Sequence, residues 1–188
     1  MPEPILAEQI REIAQKIADG EISSMSGLFD LSAQRLVRFS LTITRHQQDA
    51  EDAVQAVLLC VAARPLLLVN AVTPWHYLLK MVRNESLGVL RKKKRWGLGL
   101  GLQDLLATET YDSIEQEDLH RAIWLALRSL PADQRQVVVL KIWEEMTFQD
   151  IADVLDCSLQ TVASRYRYAI QKLTPKLQRY YQESHQDA

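Results

Sequence analysis

The side chains of this chain best placed to do chemistry together are amides, hydroxyls and guanidinium groups. Between Met146 and Leu173, residues Gln160, Ser164, Arg167, Tyr168 and Gln171 fall on one side of a helix at about 100° per residue. Such groups donate and accept hydrogen bonds in patterns that can read the edges of base pairs. Arg165 and Lys172 lie on the flank, where a cation meets phosphate. The opposite side carries Val162, Tyr166, Ala169 and Leu173 at i, i+4, i+7 and i+11, a single buried stripe.

Other chemistries find less support. Asp49, Glu51 and Asp52 stand close together, but no Ser–His or Cys–His pairing and no glycine-rich phosphate loop accompanies them. They read as first-turn acids favoured by a helix dipole, and no enzymatic activity is expected. His46, His76, His120 and His185 are scattered without ligand spacing, so neither a metal nor a cofactor is expected. Cys60 and Cys157 form no CxxC pair and read as buried or incidental thiols in a reducing compartment. Without a signal peptide or a spanning apolar segment, the expected location is the cytoplasm, with no membrane insertion.

The elements that must hold the polar face follow from local signals. Thr147 and Asp150 have capping-box spacing, and Ile151, Val154 and Leu155 continue at helical period. Asp156-Cys157-Ser158 breaks that helix, and Ser158 can cap the next. Two short helices joined by a tight turn, the second polar and basic outside, fit a helix-turn-helix. They also fit an ordinary helical hairpin with a solvated face.

The rest of the chain is helical in pattern: 47% hydrophobic residues with only 6 Gly and 6 Pro over 188 residues. Leu28, Leu36, Phe39 and Ile43 share a side of one helix; Ala50, Ala53, Val54, Val57 and Val61 face inward on the next. Asp52 and Gln55 then lie together outside. Arg64 to Val72, interrupted by Pro65, reads as a loop, and Thr73-Pro74 opens a helix running into the basic run Arg91 to Arg95. Trp75 is expected mostly in the core. Trp96 to Gly101, with three alternating glycines, is the best boundary. Ser113 and Gln116 again have capping-box spacing, with Leu119, Ile123, Leu127 and Leu130 behind them, and Pro131 opens the following helix. The expected fold is all-α: two small helical domains, 1–95 and 113–188, joined by a flexible linker, 96–112, the second ending in the helix-turn-helix. A formal net charge of -2 is unusual for an unaided DNA binder, which depends on a basic surface. Local basic patches on a neutral chain suit DNA contact made within a larger assembly.

At this point the chain resembles the sigma factors of bacterial RNA polymerase: the sigma-70 family, of the small two-domain extracytoplasmic-function type. Asp49-Ala50-Glu51-Asp52-Ala53-Val54-Gln55 is similar to the Asp-Ala-Glu-Asp-(Leu)-Val-Gln of that family's second region. Trp75 to Asn84 resembles the Trp-Leu … Ala-Arg-Asn helix after it. Leu130 to Arg135 resembles the Leu-Pro-x-x-x-Arg opening of the fourth region, and Thr161 to Arg165 the Thr-Val-x-Ser-Arg of its recognition helix. The resemblance implies core RNA polymerase and promoter DNA as partners. The second region would bind a coiled coil of the β′ subunit and read the minus-ten element; the fourth would read the minus-thirty-five element beside the β flap. It places Asp52 and Gln55 toward β′. Asn84 would lie near the unpaired minus-ten strand, with Arg83, Arg91, Lys92, Lys93, Lys94 and Arg95 beside it. Gln160, Ser164, Arg165, Arg167, Tyr168, Gln171 and Lys172 would meet the minus-thirty-five element. Departures are Ala56, where relatives often have Glu, and Ala163, Arg167 and Tyr168 in the recognition helix, so neither promoter sequence transfers. The triplet Leu66 to Leu68 is open between core, a pocket for a flipped base and a surface covered by an anti-sigma factor. The competing class is a stand-alone helix-turn-helix regulator, against which the acidic balance and the missing ligand-pocket signature weigh.

Overall fold

A computed structural model describes residues 3–95 and 118–184 of the chain. The chain divides into two compact units, Met1–Ala107 and Thr108–Ala188. Among the described residues all regular structure is helical, in keeping with the all-α expectation. The expected linker, 96–112, and the Ser113–Gln116 capping pair lie outside the described residues.

Unit 1 holds α1 (Glu3–Ala18), a 3-10 turn (Ile22–Ser24), α2 (Met25–Thr44), α3 (Gln47–Ala63), α4 (Leu66–Val69) and α5 (Pro74–Arg95). Helices α2, α3 and α5 pack on one another, and α1 lies against α4 and α5. The stripes read from the sequence are the buried ones: Leu28, Leu36, Phe39 and Ile43 on α2, and Ala50, Ala53, Val54, Val57 and Val61 on α3. Helix α1 adds Leu6, Ile10, Ala14 and Ile17. Trp75 is fully buried, with the Arg35 guanidinium 4.5 Å from its ring centre. Between α2 and α5 the buried hydroxyls of Ser40 and Ser86 hydrogen-bond at 2.7 Å, and Ser86 donates onward to the Val82 carbonyl. Pairing them meets the need of buried polar groups for partners.

Two features depart from expectation. The segment Arg64 to Val72 is no open loop, because it contains α4. Pro65 caps that turn at φ -62, the angle a helix start needs, and the buried Leu68 anchors it below. The acids at the start of α3 also separate. Asp49 is buried at 9% exposure, and Lys93 of α5 donates to its Oδ2 at 2.5 Å. The reason is helical phase: Trp75, Val82, Ser86 and Lys93 stand at i, i+7, i+11 and i+18, the line on which α5 turns inward.

Unit 2 holds α6 (Asp118–Arg128), α7 (Ala132–Ile142), α8 (Phe148–Leu155) and α9 (Leu159–Ser184). Helix α9 packs on the other three. Trp124, Leu127, Leu130, Val138, Val139, Ala169 and Leu173 form a core, with Trp143 and Leu177 against it. Trp124 and Trp143 lie 5.6 Å apart, ring centre to ring centre. Arg135 is buried and donates to the Leu130 carbonyl at 3.3 Å, closing the α6–α7 turn. The Thr147–Asp150 capping box forms as its spacing predicts: the Asp150 N–H donates to the Thr147 hydroxyl, and the Thr147 N–H to the Asp150 carboxylate. Asp156, left-handed at φ 53, turns the chain, and Ser158 caps α9 by accepting from the Thr161 N–H at 3.1 Å. Lys141 donates to the Met146 carbonyl and lies 5.4 Å from the Phe148 ring centre; Phe148 in turn meets Tyr166 at 5.3 Å. That chain of contacts ties α7, α8 and α9 together.

Thr147→Ala should cost about 1 kcal/mol, the value of a lost N-cap, and hydrogen exchange at Gln149 and Asp150 should accelerate before that elsewhere in α8. In unit 1, Asp49→Ala removes a charged hydrogen bond and should cost roughly 1–3 kcal/mol in urea denaturation followed by circular dichroism. Glu51→Ala, at an exposed site two residues on, should stay within about 0.5 kcal/mol of the parent.

Candidate nucleic-acid interface

The rotation of α9 about its axis is set by its buried side. Val162, Ala169 and Leu173 are buried, and Tyr166 packs at the core's edge. Gln160, Arg167, Tyr168, Gln171 and Lys172 are therefore exposed, and Ser164 half-exposed, its hydroxyl donating to the Gln160 carbonyl at 2.8 Å. The Arg167 guanidinium lies 5.2 Å from the centre of the Tyr168 ring, so the two present one composite surface. Arg165 is differently placed. Its Nε meets Asp133 of α7 at 3.1 Å, and its Nη1 lies 3.8 Å from the Cys157 sulfur in the turn. Asp133 did not figure among the expected site residues; the only hint was an acid just after Pro131, a spacing without helical period to Arg165.

Helix α5 sorts its basic residues by the same rule. Lys80, Asn84, Leu87 and Arg91 stand at i, i+4, i+7 and i+11, opposite the line through Trp75 and Val82. Lys80, Asn84, Arg91, Lys92, Lys94 and Arg95 are exposed and Arg83 half-buried. Lys93 faces the other way, into its pair with Asp49. The run of five cations is thus not one patch, and Lys80 belongs with Asn84. The projection that joins them was available from the sequence.

On α3, Asp52 and Gln55 are exposed, as predicted. The Gln48 side chain donates to the Asp52 carboxylate at 3.0 Å and holds it one turn into the helix. Leu59 lies on the same side, seven residues after Asp52, and is 64% exposed. This exposed leucine, one turn beyond Gln55, was not among the expected site residues.

An open cavity of about 650 Å³ lies between the end of α1, the α4 segment and Tyr77 of α5. Leu66, Leu67, Asn70 and Ala71 line it, whereas Leu68 belongs to the core. The leucine triplet therefore divides: one residue buried, two at the cavity. Among the described residues no three His, Cys, Asp or Glu side chains gather as a metal site, and no helix is long and apolar enough to cross a membrane.

Two family models match this chain: "Sigma-70 region 2" over residues 28–96 and "Sigma-70, region 4" over residues 120–179. The chain is 29% identical over 164 residues to the ECF RNA polymerase sigma factor SigL of Mycobacterium tuberculosis, covering 86% of this chain and 93% of that one. It is 25% identical over 162 residues to the RNA polymerase sigma-E factor of Streptomyces antibioticus, covering 86% and 89%. Among solved structures, it is similar in fold to the sigma factor RpoE in complex with the anti-sigma factor NepR from Bartonella quintana. There the TM-score is 0.61 at 24% identity, over 81% of this chain and 96% of that one. It is likewise similar in fold to CnrH in complex with the cytosolic domain of CnrY, with a TM-score of 0.59 at 19% identity. Region 2 matches the unit that carries Asp52 and Asn84, region 4 the unit that carries the helix-turn-helix, and the chain belongs to the sigma-70 family as an RNA polymerase sigma factor of the extracytoplasmic-function type.

Proposed function

We propose a division of labour among the surfaces just described. The chain acts as an initiation factor without catalysis of its own, in the cytoplasm, with domains spanning 1–95 and 113–188. Its α3 face, with Asp52, Gln55 and Leu59, binds the β′ coiled coil of core polymerase. The outer side of α5, with Lys80, Arg83, Asn84, Arg91, Lys92, Lys94 and Arg95, follows the minus-ten strand. The cavity beside α4 takes one unstacked base of that strand, with Leu66 and Leu67 as apolar walls and Asn70 and Tyr77 as polar partners. The polar side of α9, with Gln160, Ser164, Arg167, Tyr168, Gln171 and Lys172, enters the major groove at the minus-thirty-five element, near the β flap. An anti-sigma factor, such as the one named with RpoE, is the partner that covers the exposed apolar residues of unit 1 when the factor is held inactive. The observation that carries this reading is the sorting of α9: base-reading groups exposed on one side, the buried stripe on the other. The neutral overall charge agrees with it, since a factor docked on polymerase need not find DNA by its own field.

Arg165 takes a supporting role, because its cation already faces Asp133. On a library of upstream elements transcribed by holoenzyme, Arg167→Ala should lose selectivity at one or two adjacent positions, at a cost of about 1–3 kcal/mol for a bidentate base contact. Arg165→Ala and Asp133→Ala should both lower output without changing the preferred sequence, and by similar factors. A uniform loss with Arg167→Ala would mean that Ser164 or Tyr168 is the reader. For the polymerase face, Asp52→Arg and Leu59→Asp should each weaken core binding by roughly 1–3 kcal/mol while circular dichroism stays unchanged. Unchanged affinity for both would remove α3 from that interface.

A further inference from the structure

Helix α4 is four residues long and cannot hold its own shape, since so short a helix lies far below the length at which helices are stable alone. Two things hold it. Leu68 is sunk in the core, and Arg11 reaches across from α1. The two terminal nitrogens of Arg11 donate to different carbonyls: Nη1 to Val69 at 3.2 Å and Nη2 to Val72 at 3.1 Å. Val69 ends α4, where a helix leaves its carbonyls without partners of its own. Val72 lies in the turn before Pro74. Between these two held carbonyls stand Asn70 and Ala71, both of which line the cavity. The planar guanidinium suits the task because its donors form a rigid fork, which a single ammonium does not. Helix α1 precedes residue 28, where the region 2 match begins, so this brace comes from outside the matched segment. Its attachment is firm, because Leu6, Ile10, Ala14 and Ile17 are buried along the adjoining side of α1.

We propose that Arg11 is a positioning residue for minus-ten specificity: by spanning the Val69 and Val72 carbonyls it fixes the Asn70–Ala71 wall of the cavity, and with it the choice of base. The inference rests on the reading of that cavity as the site of an unstacked minus-ten base. Arg11 touches no DNA in this account; it acts through the backbone that carries Asn70.

The test uses full-length protein assembled with core polymerase, transcribing one library randomised in the minus-ten element and another in the minus-thirty-five element. Arg11→Ala should flatten the ratio between the best and worst base at one minus-ten position by about tenfold, on the scale of one to two hydrogen bonds. Core affinity and minus-thirty-five preference should stay as in the parent. Arg11→Lys, which keeps the charge and most of the packing but loses the fork, should move the same ratio in the same direction and by less. It also serves if the alanine variant melts below the assay temperature. A purely structural role for Arg11 would lower all promoters alike and leave the minus-ten ranking intact, which overturns the proposal. Asn70→Ala separates the two levels. If it changes the ranking while neither Arg11 variant does, the cavity reading stands and the inference about Arg11 fails. If none of the three variants changes the ranking, the cavity does not read a base and the inference falls with it.

Discussion

The orientation of α9 within unit 2 is the constraint on which the DNA-facing surface depends. A helix has no preferred rotation of its own; burial supplies one. Val162, Ala169 and Leu173 must leave water, and the last two do so in one core with Leu127, Leu130, Val138 and Val139. Once that side is committed, the positions of Arg167, Tyr168 and Gln171 follow with no further freedom. Fully burying one such apolar side chain is worth about 1.5–3 kcal/mol, whereas an exposed polar contact rarely exceeds 1 kcal/mol, so the apolar side decides. The capping box at Thr147, the left-handed Asp156 and the Ser158 cap then set where α8 ends and α9 begins. Misplacing that start by a single residue would turn the polar side by about 100°.

Unit 1 obeys the same rule with a different result. The inward line of α5 runs through Trp75, Val82 and Ser86 and arrives at Lys93 at the end of a strongly basic run. A lysine on that line needs a partner, and Asp49 supplies it from the first turn of α3. An ion pair so placed is poor evidence of large stability, because desolvation offsets much of the attraction. Its consequence is geometric: it ties the last turn of α5 to the start of α3, and so relates the helix bearing Asn84 to the helix bearing Asp52. The neighbouring cations Lys92, Lys94 and Arg95 complement the negative end of the α5 dipole while they remain exposed.

Charge and function are consistent on this view. In the proposed reading, a chain of net charge -2 contacts DNA through two small surfaces, the outer sides of α5 and α9. Arg165 illustrates the economy of such a surface. A cation of α9 itself is already matched by Asp133, whereas Arg167, two residues on, is exposed to solvent.

Most of the helical architecture was legible in the sequence, because helix period and capping chemistry are local. The stripes of α2, α3 and α9, the Thr147–Asp150 box and the Ser158 cap are all decided within about a dozen neighbouring residues. The exposure of Asp52 and Gln55, and of Gln160, Arg167, Tyr168 and Gln171, followed from the same local period. The family was legible too, from four short tags in order. What the sequence did not decide are pairings between residues far apart in the chain: Lys93 with Asp49, Arg165 with Asp133, and Arg11 with the carbonyls of Val69 and Val72. A charge reads alike along the chain whether its partner is a distant acid, a phosphate or water. Only packing brings the helices close enough to choose among them, and so only the tertiary structure could divide the basic run, split the leucine triplet between core and cavity, and give α4 its brace.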